Sequence, residues 1–190
     1  MKTDRREVRM IQKFERLDRK IVDSNRVFDY CKDTLRLPDG RTTVYETLIH
    51  KGAAAVVPVL DDGRILLVRQ FRHAIDRVSL EIPAGGRNST DEPFIEAAER
   101  ELKEETGYTC ESLKPLITII TAIAYCDEKI EVFVAKGLKK HEQDLDPDEF
   151  IDVEAYEPEK LSEMILKGTL QDSKTIAAIM SYINTLQKDR

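Results

Sequence analysis

Two apolar runs, Ala53 to Leu60 and Arg64 to Phe71, stand either side of Asp61-Asp62-Gly63, and they limit the possible folds more than any other stretch. A strand with one wet face alternates apolar and polar residues, whereas an unbroken apolar run marks a strand covered on both faces. Both runs are expected to be central strands, joined as a hairpin through the turn-forming Asp-Gly. A further hairpin is expected where Val27 to Leu37 and Thr42 to Ile49, both β-prone, flank Pro38-Asp39-Gly40.

Further strands are read at Val78 to Ala84, Pro115 to Tyr125, Lys129 to Leu138 and Phe150 to Tyr156. Pro93 to Thr106 is rich in Ala, Glu and Leu and stops before Gly107, which predicts a helix with Pro93 in its first turn. Two more helices are expected, from about Pro158 to Lys167 and from an N-cap at Ser173 to about Leu186. In residues 1–24, Val8, Ile11, Phe14, Leu17 and Ile21 recur every three to four positions, which permits an N-terminal amphipathic helix, with a frayed arm as the alternative. Strands and helices in this order give an α/β class with a mixed sheet and helices on its faces.

The chain has 190 residues and a net charge of −6, which argues against a surface built for nucleic acid or anionic lipid. The basic residues of the N-terminal arm are interleaved with acids, the pattern of a solvated helix. No apolar run approaches the roughly 20 residues of a membrane helix, and MKTDRREVRM has no apolar signal core, so a cytoplasmic protein is expected. Cys31, Cys110 and Cys126 are scattered and odd in number, which favours buried reduced thiols over disulfides or a thiolate metal site.

The chemistry concentrates in Gly86 to Tyr108. Within the predicted helix, Glu101, Glu104 and Glu105 fall on one face. Like charges at that spacing destabilise a helix, and a divalent cation would reverse the sign. Mg²⁺ takes a few carboxylate oxygens plus water and phosphate, which such a face supplies without His or Cys. A cation there could polarise a phosphoryl group and activate water, the chemistry of phosphoanhydride cleavage.

These residues follow G-x5-E-x7-R-E-U-x-E-E-x-G-U, with U aliphatic, from Gly86 through Glu92, Arg100, Glu101, Leu102, Glu104, Glu105 and Gly107 to Tyr108. The pattern resembles the signature of the Nudix hydrolase superfamily; Tyr108 departs mildly from its last position. The resemblance implies an α/β/α sandwich and hydrolysis of a nucleoside diphosphate linked to another group. It further implies Mg²⁺, or Mn²⁺, held by Glu101, Glu104, Glu105 and the Ala84 carbonyl. Arg100 would orient the carboxylates, and Glu92, Gly86 and Gly107 would shape the loops. Gly85 precedes Gly86, so either Gly86 opens the signature or the loop carries one extra residue.

Outside the signature, Leu67 to Arg72, Glu81 to Gly85, Asp127-Glu128, Asp148 to Phe150 and Asp172 to Thr175 resemble the ADP-ribose pyrophosphatase branch. That branch implies cleavage of ADP-ribose to AMP and ribose 5-phosphate, with Glu149 as base beside Glu101 and Glu105. Arg72, and less strongly Arg69, would bind the phosphates, and Glu81 would join them among the substrate-binding residues. Tyr45 or Phe28 would stack on adenine. It also implies a homodimer formed through residues 1–50, the remainder, 51–190, being the Nudix domain. Ile123 stands where the branch has a proline, which leaves another nucleotide sugar such as GDP-mannose as the alternative substrate. A nucleotide-binding domain without catalysis is the reading from a different class, and the complete carboxylate set speaks against it.

Overall fold

The computed structural model describes residues 12–188, which divide into two units, the first ending at Ile49 and the second beginning at His50. The N-terminal unit is a three-stranded sheet of β1 (Glu15–Ser24), β2 (Phe28–Arg36) and β3 (Thr42–His50), in that order. The expected reversal at Pro38-Asp39-Gly40 joins β2 to β3, with Gly40 at a φ of +87° and its N–H donating to the Leu37 carbonyl at 2.9 Å.

The amphipathic helix expected over residues 1–24 is corrected here. Residues 15–24 form an antiparallel strand against β2, while residues 1–11 lie outside the described residues. Register shifts between Arg16 and Asp18 and between Ile21 and Asp23 break the alternation that would have signalled a strand. Cross-strand chemistry fixes the pairing instead: Arg19 donates two 2.6 Å hydrogen bonds to the buried carboxylate of its register partner Asp33.

In the second unit, β4 (Ala53–Pro58) and β9 (Lys129–Lys140) run parallel. They lie at the centre of a mixed sheet ordered β7-β4-β9-β8, with β7 at Ala84–Gly86 and β8 at Tyr108–Ile120. A second sheet holds β5 (Ile65–Arg72) between β10 (Asp152–Tyr156) and β6 (Arg77–Glu81). Both β4 and β5 are therefore central strands. They do not pair as a hairpin: the turn closes, with Leu60 donating to Arg64 at 2.9 Å, but a single Val59 to Ile65 bridge follows before the strands part into different sheets.

Alternate residues of β4 serve two cores. Ala54 and Val56 pack with Ala97, Ala98 and Leu102 of α1 (Phe94–Thr106). Ala53, Ala55 and Val57 face a larger core shared with Ile65, Leu67 and Ile82, with Leu161 of α2 (Pro158–Leu166), and with Ile179 of α3 (Ser173–Lys188). The result is the α/β/α sandwich. Asp172, one residue before the expected Ser173, caps α3 by accepting the Thr175 N–H at 3.0 Å. Cys31 is buried as expected, Cys110 and Cys126 only partly so, and all three are free thiols. Among the described residues no helix is long and apolar enough to cross a membrane.

Candidate active site

The site is built on α1. Glu96 near its start and Lys103 near its end complement the helix dipole, and Gly107 closes it at a φ of +69°, donating to the Lys103 carbonyl at 2.9 Å. The helix buries Ala97, Ala98 and Leu102, so the adjoining face carries Glu101 and Glu105 down against β7. Their residues are only 9% and 3% exposed.

One guanidinium organises the surrounding elements. Arg100 Nη1 donates to Glu101 Oε1 at 2.6 Å and to Glu104 Oε2 at 3.0 Å, Nη2 donates to the Gly86 carbonyl at 2.9 Å, and Nε reaches Glu92 Oε1 at 3.4 Å. Glu92 in turn accepts the Asn88 N–H at 2.5 Å, which closes the loop between β7 and α1. Glu105 Oε2 accepts the Ala84 N–H at 3.0 Å. The two glycines divide the work at β7. A Cβ on Gly85 would lie 2.1 Å from Glu101 Oε1, so its absence lets the carboxylate settle on the strand, while Gly86 offers its carbonyl to Arg100.

Burial pushes Glu105 up to about 8, and the charges of Glu101 and Glu149 add to the shift. Glu101 is also raised, by burial first, with Arg100 opposing and Glu104 and Glu149 adding. Glu149 is half-buried in the loop before β10, its carboxylate accepting the Asp146 N–H at 3.2 Å. The structure therefore brings Glu149 into electrostatic reach of both helix carboxylates.

The two candidate arginines separate. Arg72 donates to Glu81 at 2.8 and 2.7 Å and feels the charge of Glu105. Arg69, at an odd spacing from Arg72 along β5, is engaged by Glu154 at 2.7 and 3.2 Å. Glu81 is buried and gathers Lys174 as well as Arg72. Burial alone would raise its pKa, but the hydrogen bond from Arg72 and the charge of Lys174 hold it down at about 2. Phe28 and Tyr45 belong to the N-terminal unit, where Tyr45 lies 6.3 Å from the Phe14 ring.

Residues 49–179 match the family described as NUDIX domain. The chain belongs to the Nudix family. A methanol dehydrogenase activator of Bacillus methanolicus is 38% identical over 160 residues, covering 83% of this chain and 86% of that protein. An ADP-ribose pyrophosphatase of Bacillus subtilis is 37% identical with the same coverage. The fold is that of a solved ADP compounds hydrolase, with a TM-score of 0.82 at 23% identity, over 94% of this chain and 97% of that one.

As a Nudix hydrolase the chain offers oxygen donors of the kind a hard divalent cation takes: the carboxylates of α1, two of them buried and raised in pKa chiefly by that burial. Among the described residues no three carboxylate, imidazole or thiolate groups form a ready-made cage, and Arg100 occupies Glu101 and Glu104. Sequence reasoning placed the carboxylates but gave no role to Gly85, Lys174 or Asp172. The doubled glycine was a visible signal for the first; Lys174 lies 93 residues from Glu81, and no local pattern announces that contact.

Proposed function

We propose that this Nudix hydrolase is a divalent-cation-dependent pyrophosphatase that cleaves ADP-ribose to AMP and ribose 5-phosphate. The observation that carries the reading is the juxtaposition of buried Glu101 and Glu105 with an arginine, Arg72, whose charge reaches Glu105. Relatives named ADP-ribose pyrophosphatase support the choice of substrate.

Glu101, Glu104, Glu105 and the Ala84 carbonyl would hold the cation, Mg²⁺ or Mn²⁺. When bound, it neutralises phosphate charge and makes water a better nucleophile. Arg72 binds phosphate oxygens, for which a guanidinium fork is well shaped. Glu149 takes a proton from water as its oxygen bonds to phosphorus and the bridging P–O bond breaks. Arg100 and Glu92 hold the helix and loop against each other, so the carboxylates keep their places.

The second substrate reading, a nucleotide sugar such as GDP-mannose, is favoured by Ile123, which is 87% exposed where the branch has proline. The 121–126 turn closes without that proline, through Ala122 accepting the Tyr125 and Cys126 N–H groups at 3.0 and 2.9 Å. Phosphate-coupled hydrolysis of ADP-ribose and GDP-mannose with Mg²⁺, with Glu101→Gln alongside, tests both readings. ADP-ribose is expected to be the better substrate, with Glu101→Gln lowering turnover by at least about 100-fold. Preference for GDP-mannose keeps the chemistry and changes the substrate. Undiminished hydrolysis by Glu101→Gln would remove the cation assignment, and no hydrolysis by the wild type would leave a binding domain.

A further inference from the structure

Beneath Arg72 lies an ion cluster larger than a substrate-binding arginine requires. Glu81 Oε1 and Oε2 accept Arg72 at 2.8 and 2.7 Å, and Oε2 also accepts Lys174 Nζ. Lys174 donates in addition to Asp172 Oδ2 at 2.9 Å. The same Asp172 oxygen takes the Thr175 hydroxyl at 2.5 Å, and that hydroxyl oxygen accepts the Ile82 N–H at 2.9 Å, which ties the start of α3 to the end of β6. The side chains differ sharply in access: Arg72 is 41% exposed, Lys174 12% and Glu81 4%.

We infer that Lys174 is a positioning residue for the hydrolysis, remaining on Glu81 as a fixed counter-charge so that Arg72 is free to turn from Glu81 to the substrate's phosphates. This inference rests on Arg72 being the phosphate-binding arm. A carboxylate as buried as Glu81 is strongly unfavourable without a cationic partner. If Arg72 were its sole partner, each substrate molecule would have to strip that buried charge bare. Lys174 removes the penalty, because it is anchored from behind by Asp172 and stays when Arg72 leaves. Its own partners are Glu81 and Asp172, and its low exposure directs it to them rather than to substrate. The exposed member of the cluster moves while the buried members stay.

The test is steady-state hydrolysis of ADP-ribose with Mg²⁺ by the full chain, in two double-mutant cycles. Lys174→Met is expected to raise KM by about 10- to 100-fold and to change kcat by less than about threefold, since the loss falls on substrate binding. Lys174→Arg, which keeps the charge, should restore most of the KM. In an Arg72→Ala background, which itself raises KM, Lys174→Met should have no further effect. In a Glu81→Gln background it should likewise have none, and that pair removes opposite buried charges together, so it remains usable if Lys174→Met alone fails to fold.

An Arg72→Ala effect on KM combined with an equal Lys174→Met effect in either background, or with none anywhere, overturns the inference and leaves the phosphate arm standing. An unchanged KM in Arg72→Ala, or no ADP-ribose hydrolysis by the wild type, overturns the reading on which the inference rests and the inference with it.

Discussion

Gly85 shows how a residue with no side chain can control the chemistry of another. A methyl group there would meet the Glu101 carboxylate at 2.1 to 2.4 Å, but the obstructed atoms are the far end of a flexible side chain. Gly85→Ala is therefore expected to change unfolding free energy by less than about 1 kcal/mol, while displaced Glu101 costs about 100-fold in turnover. Equal losses in urea denaturation and in kcat/KM would contradict this. Glu81 gives the opposite case, a charge that matters to stability. Its pKa is about 2 in the fold against an ordinary 4.5, so its contribution is fully present above pH 4.5 and is lost as pH falls through 2. The difference corresponds to about 3 kcal/mol. Glu81→Gln should be less stable than wild type by that order at neutral pH, with the gap closing towards pH 2 in acid titrations of unfolding; a gap independent of pH would exclude the linkage. The signature residues Glu92, Arg100, Glu101, Glu104 and Glu105 were legible because their order in the chain is itself the pattern. Lys174 and Asp172 were not, because their meaning lies in a chain of contacts, Asp172 to Lys174 to Glu81, that exists only once the fold brings the start of α3 to the end of β6.

At the scale of elements, α1 and the loop following β9 act as one piece. The His141 N–H donates to the Gly107 carbonyl at 2.5 Å, Asp144 N–H to the Glu104 carbonyl at 3.1 Å, and Gln143 Nε2 to the Glu105 carbonyl at 2.6 Å. The loop thus caps the helix end that carries the carboxylates, and a few residues later it carries Glu149. A Cβ on Gly107 would lie 2.8 Å from the His141 carbonyl oxygen, with φ at +69°. Backbone cannot yield as Glu101 can, so Gly107→Ala should destabilise by about 2 kcal/mol through strain and the clash. Turnover should fall as well, because the displaced loop carries Glu149. Urea unfolding and ADP-ribose hydrolysis measured on the same preparation check both, and unaltered stability would show that the loop gives way freely. Helices and central strands were readable from local pattern: Gly107 stopped α1, and continuous apolar runs identified β4 and β5. Pairing was less so. Asp61-Asp62-Gly63 specified a turn, but the two runs also had to serve different sheets, which a turn signal does not encode. Around β1, the spacing of Phe14, just before the strand, with Leu17 and Ile21 within it imitated a helix because two register irregularities offset the strand alternation.

For the whole molecule, the two units differ in how well each is furnished with a core. The C-terminal unit encloses Val57, Leu67, Ile82 and Ile179 among two sheets and its helices. In the N-terminal unit, Cys31 and Asp33 are the buried residues among those described, while Ile21, Val22, Val27, Val44 and Tyr45 are each between 46% and 58% exposed. A three-stranded sheet needs an apolar face covered to be stable, and this one leaves several large apolar side chains open to water. On the resemblance to the ADP-ribose pyrophosphatase branch, the partner expected to cover it is a second copy of the chain. Sedimentation equilibrium at micromolar concentration is expected to give twice the chain mass of 21.8 kDa. Because association then contributes to stability, the thermal midpoint should rise with protein concentration. Placing a charge on the sheet, as in Ile21→Glu combined with Val44→Glu, should shift the mass toward the monomer and abolish that concentration dependence, since two carboxylates would be desolvated on association. A wild-type mass of one chain with a midpoint independent of concentration would mean that the sheet is covered from within the chain, and the dimer would have to be abandoned while the catalytic reading, which uses residues of the C-terminal unit, would be untouched.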